Sequence, residues 1–396
     1  MEKEHPAVTN FRNYLRIPTV HPDINYDECV KFLIGLADEL KLPHNVIEVK
    51  TGKPVVVITW QGSEPDLPSI LLNSHMDVVP VFPDNWTYGP FDAVKDANGD
   101  IYARGAQDMK CVGIQYMETI RKYLNEGLKF RRTIHLSFVP DEEIGGVEGM
   151  GYFVERPEFK KLNVGFTLDE GIASPSDEFL VFYAERSIWQ IIFTCCGNAG
   201  HGSLLHENTA AEKVQYLINK FFEYREQQKK KLHSDPNLLI GDVTTVNLTK
   251  LEGGVQMNVV PPEMKIGFDI RLALDVNHED FVKMIDTWCQ EAGKDIQYEF
   301  INKMPYVPPT ILDDSNPWWV TFKNEADKMG LKLRKAVFPG GTDCRYVREL
   351  GIPAFGFSPM NNTPVLLHDH DEFLNENVFL KGLDIYYNII KSAASL

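Results

Sequence analysis

The feature that most constrains the fold is the alternation of short apolar segments with amphipathic helical segments. Four segments have the length and composition of buried strands: 69–72, 133–139, 164–168 and 352–357. Residues 109–126 and 375–394 carry apolar side chains at helical spacing. Strands that alternate with helices bury their apolar faces when helices cover a common sheet. The sequence therefore predicts an α/β domain.

A second pattern interrupts this alternation in the middle of the chain. Its predicted elements run strand, helix, strand, strand, helix, strand, at 188–196, 209–231, 243–252, 263–274, 278–292 and 296–301. This order is that of a ferredoxin-like unit. We therefore predict a small α+β domain, residues 188–305, inserted into a larger α/β domain made of residues 1–187 and 306–396.

Composition and charge exclude several functional classes. The chain has 40 Lys and Arg residues against 56 Asp and Glu residues, a net charge of −16. Nucleic acids and anionic membranes bind positive surfaces, so neither is expected as a partner. No apolar run is long enough to span a bilayer, and the N-terminal residues do not have the pattern of a secretory signal. The six cysteines are scattered without a CxxC pair, which is typical of a reducing compartment, and we expect a cytoplasmic protein.

Histidines and carboxylates follow the ends of predicted strands or precede a predicted helix. They are His75 and Asp77, then Asp108, then Asp141, Glu142 and Glu143, then Asp169 and Glu170, and finally the run from His368 to Glu372. Sites of open α/β sheets collect beyond the carboxyl ends of the strands, so we expect these side chains to converge. Taken singly, each has an ordinary explanation; Asp108, for example, could be a helix N-cap.

Taken together, these residues predict a metal site with two ions. Two imidazoles and at least three carboxylates suit borderline divalent ions, zinc first and cobalt or manganese next. The set is larger than one catalytic zinc needs, and it fits two ions about 3.5–4 Å apart that share a carboxylate. A carboxylate near a ligating histidine, as Asp77 is near His75, can accept the other ring N–H.

Seven stretches closely resemble the aminoacylase I family: SHMDVVPV, YARGAQDMKCVGIQY, FVPDEEIGG, TLDEGIASP, GNAGHGS, NLTKLEGGVQMNVVP and FSPMNNTPVLLHDHDE. That family belongs to a dinuclear zinc metallopeptidase superfamily that includes carboxypeptidase G and acetylornithine deacetylase. The resemblance extends over essentially the whole chain. It implies a catalytic domain with a mixed sheet flanked by helices, and an inserted lid that also forms a homodimer.

The resemblance implies two Zn²⁺ ions per subunit and gives each matching residue a role. His75 and Glu170 would hold one ion, Glu143 and His368 would hold the other, and Asp108 would bridge both.

Two further roles and two alternatives follow from the same resemblance. Asp77 would orient His75, and Glu142 would be the general base. Asp169, adjacent to Glu170, and His370, two residues after His368, are chemically competent alternatives. His368 is preferred because the family's ligand lies four residues before a glutamate, here Glu372.

The inserted domain and a glycine turn supply the remaining candidates. His201 would reach a substrate oxygen, in its own subunit or in the partner's. Asn258, Arg271, Gly341 and Thr342 would bind the substrate carboxylate. A guanidinium presents a planar fork that suits a carboxylate, although an arginine on the polar face of a strand is otherwise a surface charge.

The implied reaction is zinc-dependent hydrolysis of N-acyl-L-amino acids to a carboxylic acid and a free L-amino acid. A hydroxide bridged by the metals would attack, with Glu142 as general base. The first alternative is a dipeptidase or carboxypeptidase-like enzyme with the same chemistry. The second is a dimeric binding protein that has lost its metals, and the intact ligand set argues against it. Gly202 stands where the family commonly has alanine, so the acyl preference does not follow from the resemblance.

Overall fold

The computed structural model describes residues 4–396. The helices are α1 (Pro6–Leu15), α2 (Asp27–Glu39), α3 (Lys110–Asn125), α4 (Tyr152–Glu155), α5 (Pro157–Lys161), α6 (Ala210–Ser234), α7 (His278–Ala292), α8 (Pro317–Lys328), α9 (Cys344–Glu349) and α10 (Glu376–Ala394). The strands are β1 (His44–Lys50), β2 (Lys53–Trp60), β3 (Ser69–His75), β4 (Val94–Lys95), β5 (Asp100–Tyr102), β6 (Ile134–Val139), β7 (Val164–Asp169), β8 (Glu178–Glu185), β9 (Ser187–Cys196), β10 (Gly200–His201), β11 (Thr245–Gly253), β12 (Val259–Val260), β13 (Glu263–Leu272), β14 (Ile296–Lys303), β15 (Lys332–Phe338), β16 (Ala354–Gly356) and β17 (Phe373–Asn375).

The chain divides into two compact units. The larger contains the residues up to Tyr183 together with Pro308–Lys335 and Thr342–Leu396, and the smaller contains Ala184–Val307 and Ala336–Gly341. The sequence places the two boundaries after residues 187 and 305. The sequence does not predict that Ala336–Gly341 belongs to the smaller unit, because the end of one strand and a short turn carry no periodic signal.

An eight-stranded mixed sheet organises the larger unit, in agreement with the mixed sheet that the resemblance implies. Its order is β1-β2-β6-β3-β7-β16-β8-β15. β3 is parallel to β6 and β7, and β7 is parallel to β16, whereas β2 is antiparallel to β1 and β6. Every residue of β3 is buried, as expected for a strand covered on both faces.

Helices cover both faces of this sheet, and the alternation of side chains shows it. Val56, Ile58, Ile70 and Leu72 lie in one core with α1, α2, α3, α8 and α10. Val55, Val57 and Leu71 lie in a second core with α4, α5 and α9. Successive residues of a strand point to opposite faces, so β2 and β3 each contribute to both cores. The predicted α/β class is confirmed.

The smaller unit is an antiparallel sheet with two helices. The strand order is β11-β13-β9-β14. Thr209 and Glu212 form a capping box at the start of α6. Apolar side chains of β9, β13, α6 and α7 share one core, for example Phe193, Phe221 and Phe268. The order of these elements along the chain fits the predicted ferredoxin-like unit. Among residues 4–396, no helix has the length and apolar character needed to cross a membrane.

His135 on β6 should make the larger unit sensitive to acid. Its side chain is buried, with Nδ1 2.9 Å from the hydroxyl of Thr59 on β2. Burial lowers the pKa of His135 to about 4, whereas an imidazole in an unfolded chain has a pKa of about 6.5. As the pH falls, the unfolded state therefore binds the proton first. This residue should reduce the free energy of unfolding by about 2 kcal/mol between pH 7 and pH 4.5.

The measurement is urea unfolding of the wild type and His135→Asn at both pH values, in chelator so that metal loss contributes nothing. The control is His233→Asn, at an exposed position near the end of α6. The loss of stability on acidification should shrink by about 2 kcal/mol in His135→Asn alone. The same pH dependence in all three proteins would contradict the assignment.

Candidate metal centre

Five of the predicted metal ligands lie together in the larger unit, arranged around Asp108. Its Oδ1 is 2.9 Å from Nε2 of His75, which is 3.6 Å from a carboxylate oxygen of Glu170. Its Oδ2 is 3.4 Å from Nε2 of His368, which is 3.0 Å from a carboxylate oxygen of Glu143. The two groups, each with one imidazole and two carboxylates, thus share Asp108 through different oxygens.

The mixed sheet brings these side chains to one edge. His75 is the last residue of β3, and Glu170 directly follows β7. Glu143 lies in a 3-10 turn, Glu142–Ile144, just after β6. The strands β3, β6 and β7 are parallel neighbours, so their carboxyl ends meet at one edge. Asp108 lies just before α3, whose N-cap is Met109 without a side-chain cap, so the N-cap explanation of Asp108 is wrong.

The alternatives Asp169 and His370 lie outside both groups. Oδ1 of Asp169 accepts a hydrogen bond of 3.1 Å from the Asn73 side chain. The ring of His370 lies 3.2 Å from the Asn85 side chain and makes an edge contact with Phe82. The geometry therefore favours the neighbours that the resemblance selects.

Asp77 supports the site differently from the sequence-based prediction. Nδ1 of His75 lies 2.9 Å from the backbone carbonyl of Asp77, whereas the Asp77 carboxylate is 3.7 Å away. That carboxylate instead accepts the backbone N–H groups of Glu142 and Glu143, at 3.1 and 3.0 Å, and Oδ2 is 2.9 Å from Nε2 of His21. Asp77 thus orients His75 with its carbonyl and fixes the acidic turn with its side chain.

Glu372 is a supporting residue whose role the sequence does not reveal. It is fully buried, and its carboxylate accepts hydrogen bonds from Arg104 and from the backbone N–H groups of Gly105, Gln107 and Asp108, at 2.6–3.2 Å. In the sequence it is only a spacing marker for His368. In the structure it holds the loop that carries Asp108.

The electrostatics of the cluster reflect crowded negative charge. Burial and nearby Asp108 raise the pKa of Glu143 to about 7, and the same two causes raise the pKa of Glu170 well above its ordinary value. Hydrogen bonds to Asp108 and Glu143 raise the pKa of His368 to about 10. Carboxylates this close cannot all remain charged without a neighbouring cation.

The residues present fit divalent cations. Imidazole nitrogens and carboxylate oxygens are the donors that zinc and related ions accept. Oε1 of Glu143 is buried and has no hydrogen-bond partner, so a lone pair is left that a cation would satisfy. A third group, His21, Asp77 and Asp141, differs in that the Lys53 ammonium lies 2.6 Å from Asp141. That group already has its cation.

Glu142 lies beside the ligand groups without belonging to either. It is 8% exposed, so its carboxylate is buried yet not sealed from solvent. Burial, followed by the charge of Glu170, raises the pKa of Glu142 well above its ordinary value. A raised carboxyl pKa is what a group that accepts and returns a proton near neutral pH needs.

The other predicted site residues occupy three places. In the smaller unit, His201 ends β10 and Asn258 directly precedes β12, the strand paired with β10. Both residues are exposed, and the Gly202 N–H donates to the Asn258 carbonyl at 2.8 Å. Arg271 on β13 is half-buried and paired with Asp269 at 2.7 Å. Gly341 ends the smaller unit, and Thr342 begins the last segment of the larger one.

Comparisons with known proteins identify the family of the chain. Residues 71–392 match the model of peptidase family M20/M25/M40. The chain is 53% identical over 395 residues to aminoacylase-1 of Homo sapiens, which covers 100% of this chain and 97% of the relative. The chain belongs to the aminoacylase-1 family.

Solved structures of family M20 share the fold of the aminoacylase-1 family chain. An M20 metallo-carboxypeptidase from Sulfolobus solfataricus superimposes with a TM-score of 0.76 at 18% identity, covering 99% of this chain and 100% of that one. A dinuclear metal-binding M20 peptidase from Bacillus subtilis gives a TM-score of 0.68 at 17% identity, covering 98% of each chain.

Replacing Glu372 by glutamine should loosen the loop that carries Asp108. The change leaves Arg104, 2% exposed, as a buried cation without a carboxylate, at a cost of about 3–5 kcal/mol. Because the loop also positions a ligand, metal affinity should fall about 10–100-fold. Zinc or cobalt titration and thermal unfolding measure the two effects. Glu376→Gln, which removes a partly exposed carboxylate paired with Lys95, is the control and should leave metal affinity unchanged. Unchanged metal affinity in Glu372→Gln would contradict this role.

Proposed function

We propose that the protein is a metal-dependent amidohydrolase that converts N-acyl-L-amino acids to a carboxylic acid and a free L-amino acid. The observation that carries the proposal is the geometry around Asp108, which faces two imidazole–carboxylate groups, with Glu142 next to one of them. Membership of the aminoacylase-1 family supports the choice of substrate.

The proposed cofactor is two Zn²⁺ ions per subunit. His75 and Glu170 would hold one ion, Glu143 and His368 the other, and Asp108 would hold both. The ions would supply Lewis acidity, which lowers the pKa of a bound water and polarises the acyl carbonyl. This assignment uses all the side chains of the two groups and leaves Glu142 available for proton transfer.

Glu142 is the proposed general base and acid. Its carboxylate accepts a proton from the attacking water and returns it to the amide nitrogen as the C–N bond breaks. The backbone N–H groups of Glu142 and Glu143 donate to Asp77 and fix the turn, so the Glu142 carboxylate is already positioned before the reaction.

Five further residues are proposed to bind the substrate. Arg271, with Asn258 and the turn at Gly341 and Thr342, would bind the α-carboxylate, and His201 would donate to the acyl oxygen as negative charge develops there. These side chains do not overlap with the ligand groups, so recognition and hydrolysis would use separate parts of the chain.

The protein is further proposed to be a cytoplasmic homodimer. Apolar side chains flank His201 and Asn258 in solvent, namely Leu204, Leu205, Val255 and Met257, the second and fourth being fully exposed. An exposed apolar surface of this kind marks a protein contact, and a second copy would cover it. All six cysteines are free thiols, which suits a reducing compartment.

The decisive experiment compares wild type, Glu142→Gln and the control Glu148→Gln on a panel of N-acetyl-L-amino acids and free dipeptides, with and without chelator. Glu148 is a partly exposed carboxylate paired with Lys50. Glu142→Gln should retain its metal but lose about 10²–10⁴-fold in kcat. Glu148→Gln should behave as wild type, and chelator should abolish turnover.

Three outcomes contradict parts of the proposal. Wild-type turnover in Glu142→Gln would show that Glu142 is not the general base. Activity that survives chelation would show that hydrolysis does not require the metal. Faster hydrolysis of free dipeptides than of N-acetyl-L-methionine would make the protein a dipeptidase.

A further inference from the structure

A cavity of about 630 Å³ in the smaller unit carries an excess of positive charge. It is lined by the start of β11, by β13, by the end of α6 and by the turn after β15. Its charged residues are four cations and one carboxylate: Arg186, Arg225, Lys229, Arg271 and Asp269. In a chain with a net charge of −16, such a local excess favours an anion.

Arg186 is the buried member of this set. It is 6% exposed, and among residues 4–396 no carboxylate lies within ion-pair distance of its guanidinium. Burial, with a smaller contribution from the positive charge of Arg271, lowers the pKa of Arg186 to about 10. A buried cation without a carboxylate is costly, so the contacts that Arg186 makes must account for its position.

Those contacts tie two segments of the smaller unit together. Nε and Nη2 of Arg186 both donate to the carbonyl of Pro339, at 3.1 and 2.5 Å. Nη1 donates to the carbonyl of Val243 and to the hydroxyl of Thr245, at 3.0 and 3.1 Å. One planar fork therefore holds the turn that leads to Gly341 against the start of β11.

The guanidinium of Arg186 also contacts the residue that is paired with Arg271. Thr245, which accepts from Arg186, is the cross-strand partner of Arg271 in the β11/β13 pair. Nε and Nη2 of Arg271 donate to the two oxygens of Asp269, at 2.7 and 3.1 Å, and Gln190 also donates to Asp269. Arg271 is thus held on one side, and its Nη1 is left for another acceptor.

We propose that Arg186 is a positioning residue for carboxylate recognition, which fixes the turn Pro339–Gly341 and the strand beside Arg271 so that both meet the α-carboxylate of an N-acyl-L-amino acid. The inference rests on the proposed function, which assigns Arg271 and Gly341 to that carboxylate. The two arginines and Asp269 leave one positive charge uncompensated, and a bound carboxylate neutralises it.

The test separates position from charge. Arg186→Lys keeps the charge but cannot form the planar fork, and Arg186→Met removes both. The substrates are N-acetyl-L-methionine and N-acetyl-L-methioninamide, which share the scissile bond and differ in the carboxylate. Both variants should raise KM for the acid at least about tenfold with kcat within about threefold, and leave kcat/KM for the amide near wild type.

The matched control is Lys229→Gln, which removes a cation from the same cavity without touching the turn. Nζ of Lys229 pairs with Glu226 on its own helix at 2.9 Å. KM for the acid should change less than about twofold, as expected for an exposed pair. An equal rise of KM in Lys229→Gln and Arg186→Lys would overturn the positioning role, because the field alone would then explain the effect.

Two further measurements keep the inference falsifiable. Thr245→Val removes one acceptor of the fork and keeps every charge, and it should raise KM for the acid about two- to threefold at an unchanged Tm. Calorimetric binding of N-acetyl-L-methionine to Glu142→Gln, with and without Arg186→Lys, does not need turnover. Loss of binding with Arg186→Lys supports the inference even if the wild type hydrolyses nothing, which would defeat only the proposed function. An affinity for N-acetyl-L-methionine that is unchanged by Arg186→Lys, in protein with a native Tm, overturns the inference.

Discussion

The structure depends on keeping several ionisable side chains close together around Asp108, where all of them except His368 are largely shielded from solvent. Burial disfavours the charged form of a carboxylate, and neighbouring carboxylates repel one another; in that order, the two effects raise the pKa values of Glu143 and Glu170. A flexible chain would relieve the repulsion by moving apart. The mixed sheet prevents this, because His75 ends β3 and Glu170 directly follows β7, and each of these strands is paired with a neighbour on both sides. The fold thus stores an arrangement that cations then stabilise.

Two further carboxylates, which are not among the proposed metal ligands, hold the segments that carry residues of the site. Asp77 and Glu372 are both buried, and both use their charge on backbone N–H groups rather than on a ligand group. Each holds a turn that carries a residue of the site: the acidic turn at Glu142 in one case and the loop before Asp108 in the other. Hydrogen bonds to a charged acceptor are stronger than neutral ones, so a carboxylate is an effective anchor for such a turn.

The sequence predicts the α/β class and the long elements because their periodicity is strong, as in α3 and β13. It predicts the candidate ligands because metal-binding residue types follow successive strands. It does not predict that Asp77 orients His75 with its backbone carbonyl, because every residue has such a carbonyl and the residue type therefore does not indicate the contact. The sequence does not reveal the roles of Glu372 and Arg186 for a related reason. Each side chain binds backbone groups far away in the sequence, and only the fold brings those groups together. The same holds for Ala336–Gly341, which joins the smaller unit through tertiary contacts alone.

The charge distribution explains why a strongly acidic protein can act on an anionic substrate. With a net charge of −16, the protein as a whole repels a carboxylate. At physiological ionic strength that repulsion is screened beyond about 8 Å, so only nearby charges decide whether the carboxylate binds. In the smaller unit the proposed carboxylate site has Arg186 and Arg271, and Asp269 is the carboxylate among the residues that line the same cavity. The acidic cluster of the larger unit is in turn neutralised by the cations that it is suited to bind.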